Sequence, residues 1–329
     1  MTPASRKPGS DPTFAAMQYE PLIRLGFFFG VLVLMAVWEV VAPRRKLTVS
    51  KGWRWLSNLG LVVVNTIAVR LIFALGAVGV ALVAGERGWG LFNSVDIPAW
   101  VAIAASVLAL DLFIYLQHVM FHAVPLFWRL HMVHHADLDI DLSTGLRFHT
   151  VEILLSMGIK VAAIVLLGAP AAAVLIFEVL LNGTSMFNHS NVQMPLWLDR
   201  ILRLFVVTPD MHRVHHSVIP NETNSNFGFN LPWWDFLFGT YRSQPAAGHR
   251  EMTIGLSQFR VEWVDRLHWM LVLPFIGTPG EYPINRRWLG RETRRDSTPH
   301  MPGTDEPLAA NPAPAEEHRA REGHELPKH

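Results

Sequence analysis

Residues 98–135 read PAWVAIAASVLALDLFIYLQHVMFHAVPLFWRLHMVHH. Residues 98–117 hold one formal charge, Asp111, and are long enough to cross the hydrocarbon core of a bilayer as a helix. The run enters the group His118-Val-Met-Phe-His122 without a break, and His131-Met-Val-His134-His135 follows. A third group, His212-Arg-Val-His215-His216, repeats the spacing of the second. Positions i, i+3 and i+4 share one helix face, so each group aims two or three imidazoles at one point. The pattern predicts a membrane helix that delivers metal-binding side chains to the bilayer surface.

Working outward, more apolar runs appear. Residues 22–42 form a first span, flawed by Arg24 and Glu39, and 59–84 form a second with Arg70 inside it. Residues 151–187 suit a hairpin of two short helices turning at Gly168-Ala169-Pro170. Only 17% of the residues are charged, below the roughly 25% usual in soluble domains. The fold class expected is therefore all-α, an integral membrane bundle of about four segments under a helical cap. The domain division expected is a flexible stretch 1–20, a catalytic domain 21–290 and a disordered tail 291–329 rich in Pro, Glu, Arg and His.

Loop charges give an orientation. The loop after the first span holds Arg44, Arg45, Lys46, Lys51 and Arg54, and the loop after the second holds Arg87. The positive-inside rule puts the first loop in the cytoplasm. Counting spans from there places all three histidine groups on the cytoplasmic face, with Arg6 and Lys7 as a mild violation.

The chain has no cysteine, which excludes disulfides, zinc–thiolate sites and cysteine-bound iron–sulfur clusters. A net charge of +1 gives no field that would attract nucleic acid. Ten of the sixteen histidines lie between His118 and His216. Imidazole suits iron, zinc, copper and nickel, and eight such ligands are too many for one ion and fit two. A zinc peptidase is disfavoured, because the glutamate such a site needs after its first histidine is here Val119.

The residues from 100 to 242 resemble the fatty acid hydroxylase superfamily of membrane proteins, which includes sterol desaturases, sphingolipid hydroxylases and alkylglycerol monooxygenase. The likeness rests on Asp111, the three histidine groups, Trp128-Arg129-Leu130, Arg147-Phe148-His149, Thr208-Pro209, Asn226-Phe227-Gly228 and the run Trp234-Asp235 to Tyr241. It implies a non-haem site of two iron ions, O2 as oxidant, a lipid-like substrate and electrons from a separate redox protein. It also implies His189 as a ninth ligand. Hydroxylation is the reaction expected, with desaturation as the alternative. A zinc-dependent membrane hydrolase and a metal-handling membrane protein are the readings from other classes.

The neighbours of the groups have several readings. Asp111, two helical turns before His118, is expected to steady a histidine rather than pair with Arg70. His149 is open between ligand, partner of a ligand and interfacial residue. Asp210 either orients a ligand or caps a helix. Arg129 and Arg147 hold a lipid headgroup or a carboxylate of the protein. Trp233 and Trp234 belong to an interfacial aromatic belt or to the fold beside the metals. Glu178, a carboxylate inside a span, requires a partner that the sequence does not name.

Overall fold

A computed structural model describes residues 19–285. The expected tail from 291 and all but the last two residues of the expected flexible stretch 1–20 lie outside these. Among the described residues every regular element is helical, with two isolated bridges, Pro43 to Val192 and Ser217 to Ile254. The helices that matter are α1 (Glu20–Val41), α2 (Lys51–Ile72), α3 (Gly76–Glu86), α4 (Ala99–Ala123) and α5 (Pro125–His135). They continue as α6 (Thr150–Leu167), α7 (Ala171–Asn188), α8 (Leu196–Leu202), α9 (Pro209–His215), α10 (Trp233–Phe238) and α11 (Leu267–Ile276).

Among the described residues, five stretches are long and apolar enough to cross a membrane: α1, the run Lys51–Ser94 that contains α2 and α3, α4, α6 and α7. The arms of the 151–187 hairpin each have 18 residues, about 27 Å at 1.5 Å per residue, so both count as spans. Leu22, Phe27, Leu34 and Val40 of α1 are more than half exposed, as a lipid-facing surface requires. The chain is an integral membrane protein. The hairpin turns where the sequence places it: Gly168 takes the left-handed conformation with φ 64°, and Pro170, which lacks an N–H, precedes α7.

Side-chain contacts set the direction of each span. Arg24 of α1 bonds Glu178 within α7, and Glu39, near the end of α1, accepts from the backbone N–H of Asn191 just past α7. The two helices therefore run parallel. The loop after α1 is tied to the histidine segments, by Arg44 to Asp210 at 2.9 Å and by the Thr48 N–H to Asp139 at 2.6 Å. The basic first loop and all three histidine groups thus lie at one end of the bundle.

That end is braced by buried charge. Arg54 of α2 is 1% exposed and meets Asp137 at 2.7 Å and Asp141 at 2.8 Å. Arg147 meets Asp265 at 2.6 Å and donates to the carbonyls of Val133 and Val264. Buried arginines are tolerable only when their donors are filled, and these fix the segment between α5 and α6 against α2 and the turn just before α11. Inside the spans, Glu178 finds two partners, Lys160 and Arg24, each at 2.6 Å.

The cap does not stand clear of the spans. Phe238 of α10 stacks on Tyr115 of α4 at 5.4 Å, and the Trp234 indole donates to Asp111 at 2.8 Å. The segment after the third histidine group therefore dips beside α4, toward the bilayer. Trp197 and Phe205, at and just past α8, and Leu237 of α10 are exposed there.

Candidate metal centre

The histidines come from helix ends. His118 and His122 sit one turn apart on the last turns of α4, and His131, His134 and His135 close α5. His212 and His215 lie on α9, His216 caps it, and His189 caps α7. All nine are 5% exposed or less. They divide into two groups whose ligand atoms each lie within 4.8 Å of one another: His118, His122, His131, His135 and His215, and then His134, His189, His212 and His216. The motifs are shared between the groups. His131 and His135, four residues apart, face the first, while His134, about 100° round the helix from His135, faces the second. His215 joins the first group, while His212 and His216 join the second.

Ring protonation decides what these groups attract. The Nδ1 atoms of His118, His134, His189 and His215 lie at 2.7–3.1 Å from the carbonyls of Phe227, Arg147, Ser185 and Ser225. His131 Nδ1 lies 2.6 Å from the Glu152 carboxylate and His122 Nδ1 lies 3.0 Å from Asn224 Oδ1. Asn224 donates its amide to the Tyr282 carbonyl, which fixes that oxygen toward His122. All six partners are acceptors, so each Nδ1 carries the proton and each Nε2 is left with a lone pair. Yet Nε2 faces Nε2 at 3.1 Å for His118 and His131, for His215 and His118, and for His189 and His134. Lone pairs pressed together in a buried site are met by a cation. Protonating the rings is no remedy, because burial pushes His131 and His189 down to about 3 and holds His216 well below its ordinary range. Both ring nitrogens of His216 and Nδ1 of His212 are buried without a protein partner among the described residues. The donor set fits two metal ions.

The supporting residues divide differently from expectation. Asp111 does not steady a histidine: seven residues is about 10 Å along a helix, and its carboxylate accepts from the Trp234 indole and the Leu231 N–H. Asp210 is not the cap of α9; Thr208 is, accepting from the Met211 N–H. Asp210 instead pairs with Arg44 and Arg213. His149 lies outside both groups. It caps α6, accepting from the Val151 N–H, and its Nε2 faces the Leu271 carbonyl. Arg129 donates to the carbonyls of Pro274 and Gly277, and Arg147 pairs as described, so both act within the protein. Asp235 accepts from the N–H groups of Phe227 and Gly228, fixing the carbonyl that His118 uses. Asn226, at φ 52°, bonds the backbone of Met211 and Arg242 and so ties the same loop to α9.

Sequence reasoning missed Glu152 and Asn224, which orient His131 and His122. The signal for Glu152 is slight: it stands on the first turn of α6, where the helix dipole suits an acid on ordinary grounds.

A cavity of about 190 Å³ opens on this centre, lined by His118, His131, Phe148 and Phe229 beside Glu152. A second, of about 540 Å³, borders it and runs between α1, α2 and α3.

Residues 103–240, which hold the histidine groups, match the fatty acid hydroxylase family. The chain is a relative of the fatty acid hydroxylase superfamily. It is 25% identical over 233 residues to ornithine lipid hydroxylase OlsE from Rhizobium tropici, 69% of each chain. To human alkylglycerol monooxygenase it is 32% identical over 161 residues, 48% of this chain and 34% of that protein. To methylsterol monooxygenase 2-2 from Arabidopsis thaliana it is 25% identical over 158 residues, 47% of this chain and 59% of that protein. The chain thus spans about two thirds of the first relative and a third of the human one. No solved structure matches it.

Proposed function

We propose that this protein hydroxylates a membrane lipid or lipid-like substrate, with two iron ions held by the nine histidines and O2 as oxidant. The observation that carries the reading is the convergence of buried Nε2 lone pairs on two points beside a cavity that leads into the membrane-embedded part of the fold. The hydroxylase and monooxygenase names of three relatives support the reaction class.

The first group, with five imidazoles, would hold one ion, and the second, with four, the other. Bound there, the iron pair supplies O2 activation for attack on a C–H bond. In balance, the substrate C–H, O2, two electrons and two protons give C–OH and water. The electrons come from a separate redox protein. The chain's own part is to position and to exclude. Carbonyls, Glu152 and Asn224 hold the rings in one tautomer. Trp128, fully buried, packs on His122 and His135, and Phe148 stacks on His134, so the site stays dry.

We propose that the metal end faces the cytoplasm. The first loop carries five basic residues, and its Arg44 and Thr48 bond the segments that hold the histidines. Reporter fusions after Lys51 and Gln244 should both report cytoplasm, and one at Asn93 the opposite side. The reaction is tested by supplying the iron-loaded protein with a reductant, O2 and membrane lipid. A product one oxygen heavier is expected. Loss of two hydrogens in its place identifies a desaturase and overturns the hydroxylase reading.

A further inference from the structure

The inner cavity has an unusual wall for a place that meets hydrocarbon. On α6, Glu152, Ser156 and Lys160 follow one another at intervals of four residues and all line it, joined by Gln117 of α4 and Glu178 of α7. Burying polar groups against a hydrocarbon chain costs free energy, so this wall is built for a polar ligand or for water.

Lys160 and Glu178 of this wall are already paired. Glu20, Arg24, Glu178 and Lys160 alternate in sign along one chain of contacts of 2.5–2.6 Å. These two acids and two bases cancel, and Glu152 is held by His131, which leaves no unpaired cation on this wall for an anionic headgroup. The neutral pair is different. Gln117 Nε2 donates to Ser156 Oγ at 2.7 Å. The Ser156 hydroxyl proton is then free to donate, and Gln117 Oε1 is buried with no protein partner among the described residues. One donor and one acceptor side by side match a group that itself both donates and accepts. Exchanging the amide atoms of Gln117 would leave the pair open to such a group as well.

Placement gives this pair its meaning. Gln117 directly precedes His118, and Ser156 lies one turn beyond Glu152, the partner of His131. The larger cavity alongside is mostly apolar, walled by Phe28, Val69, Phe73, Leu146 and Met157. We propose that Gln117 and Ser156 form the recognition site for a neutral hydroxyl or secondary amide of the substrate, whose hydrocarbon chain occupies the outer cavity. Oxidation then falls on a carbon close to that polar group and not in mid-chain. The proposal rests on the lipid hydroxylase reading and deepens it.

The test uses the full chain, metal-loaded, in lipid nanodiscs. Binding is read by displacement of a fluorescent lipid, so it needs no turnover. The competitors carry the same hexadecyl chain ended by a hydroxyl, a secondary amide or a methyl ester, which has no donor. The wild-type protein should prefer the hydroxyl or the amide over the ester by about tenfold, the scale of one net hydrogen bond. Comparing those two arms tells which group the site prefers. Gln117→Leu and Ser156→Ala should each erase the preference with metal content unchanged. Should Gln117→Leu lose metal through its neighbour His118, Ser156→Ala alone decides. Equal binding of all three ligands by the wild-type protein, or a preference that survives Ser156→Ala, overturns the proposal and leaves the wall to water. A lipid bound with the preference but never oxidised supports the recognition site and counts against the hydroxylase reading alone.

Discussion

His131 and Glu152, twenty-one residues apart in sequence, meet at 2.6 Å between Nδ1 and a carboxylate oxygen. Both are nearly sealed from solvent. A ligand held this way has a fixed tautomer and a more basic Nε2. Glu152→Ala should therefore lower metal affinity or turnover by about 10–100-fold, the usual scale for such partners. Glu152→Gln keeps an oxygen that accepts and should lose less. Metal content and turnover measured on both variants check this, and equal loss in the two would mean that the carboxylate charge matters more than the hydrogen bond.

His189 and His149 separate by role. His189 Nε2 lies 3.1 Å from His134 Nε2 and 3.0 Å from His212 Nε2, while His149 caps α6. His189→Ala should lose activity as fully as His134→Ala, with measurable loss of metal. His149→Ala should keep its metal and show a modest loss of stability, about 1 kcal/mol for a cap. Metal analysis beside thermal unfolding reads both effects.

Asp235 should matter more to the centre than Asp111, although only Asp111 precedes a histidine group on the same helix. Asp235 fixes the loop whose Phe227 carbonyl holds His118, whereas Asp111 holds Trp234 and Leu231. Asp235→Ala should reduce metal content. Asp111→Asn should leave metal content near wild type. The reverse ranking would restore Asp111 as a partner of the histidines.

Acid should destabilise the metal-free protein in a defined window. His131 and His189 titrate at about 3 when folded, because burial disfavours their charged forms, against about 6.5 in an unfolded chain. Between those values the unfolded state binds more protons, so stability falls as pH falls. Thermal unfolding of the chelated protein from pH 8 to pH 4 should show a midpoint flat above about pH 7 and dropping below it. A midpoint that rises on acidification would contradict neutral buried rings.

The clustering of the histidines was legible in the sequence, and its partition into two groups was not. The spacing of three histidine groups shows which side chains share a helix face, because that follows from 3.6 residues per turn. It does not show that His134 and His135 serve different groups, since that depends on how α5 and α9 cross. The hairpin turn was legible because Gly168 and Pro170 act locally. Arg54 was legible only as one of five basic residues in a loop. Its burial against Asp137 and Asp141 is a tertiary fact, with partners more than eighty residues away. Asp111 misled for a related reason: the angle round a helix repeats every seven residues, while the distance along it does not.

The most direct measurement is of metal and O2 together, on protein purified without chelator. Two metal ions per chain are expected, with iron supporting lipid-dependent O2 consumption and with both lost in His131→Ala and His212→Ala, one variant for each group. Full activity with zinc alone and without O2, or one ion per chain at full activity, would contradict a two-iron oxygenase.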